Sequence, residues 1–428
     1  MLRRVAELPW PLRYVLIAIA LAIVICILCW VDKADESRVE LHVRASHPIG
    51  MQMSAAPSLA RWYRLDVPAS QVDDALAALR RDPFVDDAFV APVISLPSAD
   101  DGDACPITTP AYDHLQGYLA PAPEGIDAAA AWRRGVRGAG VWFADIEGGW
   151  NARHEDLPGD RISHVHGAPV DAPGWREHGT AVLGEVVGID NGRGVTGIAP
   201  DVDRVVTSSI GSSTSADAIA EAARQLRAGD VLLVELQGMG PLGRFLPVEY
   251  WDDNYDAIAA ATARGVVVIE AAGNGGENLA RAIYRGKLER RVRDSGAIMV
   301  GAGGPPRPGF SDRERLDFSN YGARVDVQGW GRRVATLDYG DLQRCDDDTR
   351  ERHYTGEFSG TSSASPIVAG AAILLESIAH RTLTPAQVRA ALATAGSPQT
   401  GNTREHIGPR PDLAKALTAL ETPATRSR

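Results

Sequence analysis

Two rhythms of apolar and polar positions run along this chain, and the change from one to the other divides it. Ala60-Arg-Trp-Tyr-Arg-Leu-Asp-Val67 alternates with a period of two, the pattern of a half-buried strand. Pro68-Ala-Ser supplies a helix start, and residues 71–81 then place Val72, Ala75, Leu76 and Leu79 on one helical face. Residues 84–96 return as strand, so residues 38–98 form a small α+β unit. Residues 99–124, rich in Asp, Pro, Thr and Ala, have few periodic apolar positions and are a linker. From Gly125 the rhythm changes. Helices are expected over 128–134, 178–187, 216–226, 255–264 and 363–380, interleaved with short apolar strands at 140–144, 204–207, 231–236, 266–271 and 298–302. Continuous apolar strands joined by helices are buried on both faces, so residues 125–420 are an α/β domain whose parallel sheet is sandwiched by helices. Residues 421–428 are a frayed tail.

The N-terminus adds a targeting signal over residues 1–31. Arg3, Arg4 and Arg13 precede an apolar run from Val15 to Val31, and Asp32, Asp35 and Glu36 follow it. As a helix the run would extend about 25 Å, at the short end for a bilayer span. Positive charge before it and acid after it orient the bulk of the chain away from the cytoplasm, as a membrane-anchored domain at a cell surface or in a periplasm. A cleaved signal peptide, giving a secreted protein, is the alternative; the run is long for one and no clean Ala-x-Ala site follows. Cys26 and Cys29 lie inside the run and are membrane filler. Cys105 and Cys345 are the remaining pair, a disulfide candidate in an oxidising compartment. A formal net charge of -11 leaves no basic excess to displace phosphate counterions, which excludes a nucleic-acid binder.

Three separated strings carry chemistry. Asp145 stands in Val-Trp-Phe-Ala-Asp-Ile-Glu-Gly, His178 in Glu-His-Gly-Thr-Ala-Val, and Ser362 in Ser-Gly-Thr-Ser-Ser-Ala-Ser-Pro. They supply an orienting carboxylate, a base and a nucleophile, the minimum set for acyl transfer from serine. Asp145 ends a predicted strand, where open α/β sheets hold their reactive groups. His178 opens a predicted helix, with Gly179 beside it leaving room for substrate. Ser362 sits at a helix N-terminus, where free N–H groups and the helix dipole favour a developing oxyanion. Asn274, in Ala-Ala-Gly-Asn-Gly, offers a second oxyanion donor. Alone, the Asp would cap a turn, the serines would cap a helix and Asn-Gly would be a turn. Together, and in the order Asp, His, Ser, they describe one site.

These strings resemble the subtilisin-like serine peptidases. The resemblance rests on Asp145 with His154-Glu-Asp156-Leu behind it, on His178-Gly-Thr-x-Val-x-Gly184 with Gly194-Val-x-Gly-Ile-Ala-Pro200, on Phe318-Ser-Asn-Tyr-Gly322, and on Gly360-Thr-Ser-Ser-Ala-Ser-Pro-Ile-Val-Ala-Gly370. It covers about Gly125 to Leu417 and implies a serine endopeptidase of subtilisin-like fold, with polypeptide substrates and no cofactor for the chemistry. It further implies that residues 38–98 are a propeptide-like inhibitor and that the linker holds the processing site. The substrate pocket would be lined near Leu236, Gln237 and Gly238 and near Ala271, Ala272 and Gly273. Glu235, Glu270 and Glu277 lie near these strands, where they either favour basic substrate side chains or sit solvated or salt-bridged. Some members bind structural calcium through a loop that residues 189–195 resemble, with Asp156 and Asn191 as candidate ligands; two oxygens are too few for a calcium site. Three departures stand out. Ile146 and Glu147 replace Ser/Thr-Gly after the Asp, Ser363 replaces Met, and Gln328-Gly-Trp-Gly331 replaces Ala-Pro-Gly. A silent peptide-binding relative, and an acyl-transfer enzyme acting as ligase or cyclase, remain as alternatives.

Overall fold

The computed structural model describes residues 38–45, 54–55, 61–91, 108–170, 172–345 and 350–421. The apolar run Val15 to Val31 and Cys105 lie outside the described residues. The chain divides into two compact units, the smaller holding the described residues 38–45, 54–55 and 61–91.

In that unit the strands β1 (Arg38–Ala45), β2 (Ser54–Ala55), β3 (Trp62–Pro68) and β4 (Val85–Val90) form an antiparallel sheet in the order β2-β3-β1-β4, with helix α1 (Val72–Leu79) between β3 and β4. The period-two pattern of β3 and the helical stripe Val72, Ala75, Leu76, Leu79 meet in one small core with Leu41, Val43 and Leu65. The N-terminal region is thus an α+β domain.

The larger unit holds the α/β domain. Its described elements run α2 (Ala128–Trp132), β5 (Trp142–Glu147), β6 (Ile162–His166), α3 (Pro173–Val187), β7 (Arg204–Ser209), α4 (Ser215–Gln225) and β8 (Val231–Val234). A hairpin β9 (Gln237–Met239) and β10 (Phe245–Pro247) follows, then α5 (Asp252–Ala263), β11 (Val267–Ala271), β12 (Ile298–Gly303) and β13 (Val327–Trp330). A second hairpin, β14 (Val334–Leu337) and β15 (Tyr354–Phe358), precedes the long helix α6 (Thr361–Ile378), then α7 (Pro385–Ala395) and α8 (Leu413–Glu421). Seven strands form a parallel sheet ordered β13-β12-β11-β8-β5-β7-β6.

Strand alternation assigns the two faces of the sheet. Phe143, Leu233 and Ile269 share a core with Val182 and Val186 of α3 and Ile367 and Val368 of α6. Ala144, Ile146, Leu232, Val234 and Val268 pack instead against Ile219 of α4 and Ile258 of α5. Each Val, Leu, Ile or Phe buried this way contributes roughly 1.5–3 kcal/mol. Because successive residues point to opposite faces, Phe143, Asp145 and Glu147 all project toward α3 and α6. Glu235, the residue after β8, continues the alternation of Leu233 and falls on the same side.

Two predicted boundaries move in ways that matter. Strand β5 runs on to Glu147, so Asp145 lies inside it and not at its end. Helix α3 begins at Pro173, which puts His178 in its second turn and not at its opening.

Candidate active site

Gly360, at φ 113°, brings the chain into α6, and Ser362 is the second residue of that helix. A Cβ at Gly360 would stand 3.2 Å from Asn274 Nδ2, and an L side chain rarely adopts that φ. The helix start is tied to the Asn274 loop by two bonds. Asn274 Oδ1 accepts from the backbone N–H of Thr361 at 2.8 Å and from its hydroxyl at 3.0 Å. With Oδ1 so occupied, the Asn274 amide is oriented with Nδ2 as its remaining donor, beside Gly360 and two residues from Ser362.

The imidazole meets a different carboxyl from the one expected. His178 Nδ1 lies 2.5 Å from Oε1 of Glu147, and both side chains are fully buried. Asp145 accepts a 2.7 Å hydrogen bond from the indole N–H of Trp150 through Oδ2, and its Oδ1 has no hydrogen-bond partner among the described residues. The geometry therefore pairs His178 with Glu147 and leaves Asp145 one pleat deeper in the same strand. The approach of α3 explains how. At Gly179 a Cβ would meet the carbonyl of Gly149 at 2.3 Å and the Trp150 ring at 2.8 Å. Glycine after the histidine thus serves close packing of helix on loop, where the sequence suggested room for substrate. The ring of Phe358, four residues before Ser362, packs edge-on against His178 at 5.4 Å between centroids.

Burial dominates the electrostatics. It raises the carboxyls of Asp145 and Glu147 well above the carboxylate range, and the two acids are mutually unfavourable: the charge of Glu147 raises Asp145 further. Burial also lowers the His178 imidazole to about 4, against a smaller upward pull from Asp145. His178 Nε2 is buried and has no hydrogen-bond partner among the described residues.

The expected pocket residues fall in two neighbouring segments. Leu236 and Ala272 are buried, Gln237 belongs to β9, and Ala271 ends β11. Gln237 Oε1 accepts from the backbone N–H of Asn274 at 2.7 Å, joining the segment containing Gly238 to the one containing Gly273. None of the three nearby acids is a free charge. Glu277 bonds to Arg281 and Tyr284, Glu270 accepts from the N–H of Glu249, and Glu235 is buried beneath α6. Asp156 and Asn191, the candidate calcium ligands, do come together, but Asp156 accepts from Asn191 Nδ2 and from the N–H of Val195. Cys345 is disulfide-bonded.

Sequence reasoning missed Glu147 and Glu235 as members of this cluster. For Glu147 a signal existed: the period of two puts it on the same face as Asp145. For Glu235 there was none beyond its place after a strand.

A seven-stranded parallel sheet sandwiched by helices, with Ser362 at the start of α6, His178 in the second turn of α3 and Glu147 ending β5, defines the subtilisin-like class. Residues 156–409 match the peptidase S8 Subtilase family, and this chain belongs to that family. The match takes in His178, Asn274 and Ser362 and begins after Asp145 and Glu147. Subtilisin Savinase of Lederbergia lenta is 30% identical over 253 residues, 59% of this chain and 81% of that protein. The alkaline protease of Alkalihalobacillus alcalophilus is also 30% identical over 253 residues; there the match spans only 58% of the relative's length. Among solved structures, the epidermin leader peptide processing serine protease of Staphylococcus aureus superposes with a TM-score of 0.62 at 17% identity, covering 91% of this chain and all (100%) of that one. A protease from Pseudoalteromonas arctica gives a TM-score of 0.54 at 23% identity, covering 73% and 99%.

Proposed function

We propose that this chain is a serine endopeptidase with a Glu147-His178-Ser362 triad. The observation that carries the reading is the buried 2.5 Å contact between His178 and Glu147, in a domain whose α6 start holds Ser362 and is tied to Asn274. Ser362 Oγ bonds to the scissile carbonyl carbon while His178 Nε2 takes its proton. The C–N bond then breaks as that proton passes to the leaving amine, and water repeats the cycle to release the acid. The N–H of Ser362 and Nδ2 of Asn274 hold the oxyanion. Glu147 holds Nδ1–H, which keeps Nε2 bare, and stabilises the imidazolium as it forms.

Only the one-proton form of the Glu147–His178 pair is a base: Glu147 ionised, Nδ1 protonated, Nε2 free. Since burial favours the uncharged acid, the pair retains its second proton above the ordinary carboxylate range, and activity rises with pH as that proton leaves. The N-terminal α+β unit acts in this reading as the enzyme's own inhibitor, and the apolar N-terminal run as its membrane tether or export signal.

The test is a mass spectrum of the full chain after treatment with a fluorophosphonate, with Ser362→Ala in parallel. Labelling on Ser362 that disappears in the variant, and peptide products from a polypeptide substrate, are expected. Absence of label on the chain, and on the chain freed of its N-terminal unit, would refute the proposal.

A further inference from the structure

Beneath Ser362 lies a carboxyl that the mechanism above does not use. Glu235 is 3% exposed and follows the central strand β8. Its Oε1 is 2.5 Å from the hydroxyl of Ser365, and that same hydroxyl is 2.7 Å from the carbonyl of Thr361. A serine hydroxyl has one proton. Placed between two oxygens at these distances, it either splits that proton between them or donates to one and accepts a proton from the other. The second arrangement makes two full-strength bonds, and since the carbonyl of Thr361 has no proton to give, the proton it needs is on Glu235. The contact of 2.5 Å is a short O–H···O hydrogen bond.

The surroundings agree. Burial raises the Glu235 carboxyl well above the carboxylate range; the Ser365 hydroxyl opposes this, the charges of Glu147 and Asp145 on β5 add to it, and the hydroxyl of Ser362 opposes it. From α3, Glu185 adds a further acid, buried, itself raised by burial and then by Glu235, with neither oxygen partnered among the described residues. One negative charge in this cluster, on Glu147 in the working enzyme, resists a second. Glu235 Oε2 has no hydrogen-bond partner of its own among the described residues, and neither has His178 Nε2. Ser362 is the hydroxyl that bears on the first and is needed by the second.

We propose that Glu235 is a positioning residue for the nucleophile, acting as a neutral carboxylic acid that donates through Ser365 to Thr361 and so pins the first turn of α6 to β8. The inference rests on the serine-peptidase reading. While the acid is neutral, its unprotonated Oε2 is a weak acceptor and the Ser362 proton goes to His178. Loss of the Glu235 proton breaks the relay to Thr361. It also leaves a carboxylate that competes with His178 for the Ser362 hydroxyl and opposes the oxyanion.

Glutamine reproduces the neutral acid, with an amide N–H toward Ser365 and a carbonyl oxygen toward Ser362. The experiment compares the full chain with Glu235→Gln by infrared difference spectroscopy and by the pH profile of fluorophosphonate labelling at Ser362. Expected are a protonated-carboxyl band at neutral pH that vanishes in Glu235→Gln, and labelling by the variant within about threefold of wild type. As pH rises, wild-type labelling should fall only where that band is lost, by about tenfold per pH unit for one proton, and the variant should keep its rate. Absence of the band at neutral pH overturns the proposal. So does a folded Glu235→Gln that labels more than about a hundredfold slower, or a wild-type loss at high pH that the variant shares. If no version labels at any pH, the nucleophile assignment itself fails, and this inference with it.

Discussion

Replacing Glu147 by Gln should nearly abolish catalysis, whereas replacing Asp145 by Asn should hardly affect it. Glu147 and His178 are both fully buried, with 2.5 Å between their polar atoms. When the imidazolium forms, the centres of charge stand about 4 Å apart, and at an effective dielectric of ~20 that attraction is about 4 kcal/mol. It corresponds to about three decades of rate. Glutamine can also donate its amide N–H to Nδ1, which would put the ring proton on Nε2, where it blocks base catalysis. Loss of a triad acid with the wrong tautomer costs on the order of 10⁴. The expected fall in kcat/KM for Glu147→Gln is therefore roughly 10³–10⁴. Asp145→Asn keeps an oxygen for the Trp150 indole and removes an acid that burial already disfavours, so its kcat/KM should stay within about tenfold. The assay is kcat/KM on a peptide substrate and the second-order rate of fluorophosphonate labelling, on variants whose thermal unfolding shows them folded. A loss of roughly 10³-fold for Asp145→Asn with Glu147→Gln near wild type would refute the reasoning and restore Asp145 as the orienting acid.

Asn274→Ala should lower kcat by roughly 10²–10³, the cost of one oxyanion donor, with KM nearly unchanged; a change confined to KM would assign Asn274 to ground-state binding instead. Glu376, in α6, is buried, neither carboxyl oxygen has a partner among the described residues, and burial raises it to about 7. A carboxyl whose folded pKa lies above its unfolded value binds more protons in the folded state. Its contribution is full below the unfolded pKa near ~4.3 and declines as pH rises through about 7. Glu376→Gln should therefore gain on wild type in thermal midpoint by a few degrees as pH rises from about 5 to about 8; a constant difference across that range would show that the carboxyl does not titrate there.

Much of the α/β scaffold was legible because the hydrophobic period reports burial directly. Continuous apolar runs such as Val231–Val234 become central strands, and the helical stripe of α1 becomes the inner face of the small unit. The boundaries that slipped were those where apolarity is a poor guide. Trp142–Glu147 stays a strand through Asp145 and Glu147 because its ladder with β8 runs on to Ile146 and its ladder with β7 to Glu147. Pro173 starts α3 well before the apolar run, since the helix N-terminus is polar.

By itself the sequence determined the fold class, and it singled out Ser362 at a helix start and His178 one strand-turn-helix away as the residues proposed for nucleophile and base, because each depends on local order and residue type. For the acid it pointed to Asp145 alone, although the period of two puts Glu147 on the same face of β5. Periodicity specifies a face but not a depth: Asp145 and Glu147 share that face, about 7 Å apart along the strand. Which of them meets His178 is decided by how far α3 slides over the loop after β5, and that stops where Gly179 touches Gly149. The approach of Glu235 to Ser365 is likewise a product of packing between elements 130 residues apart in the chain, a distance over which no local pattern carries information.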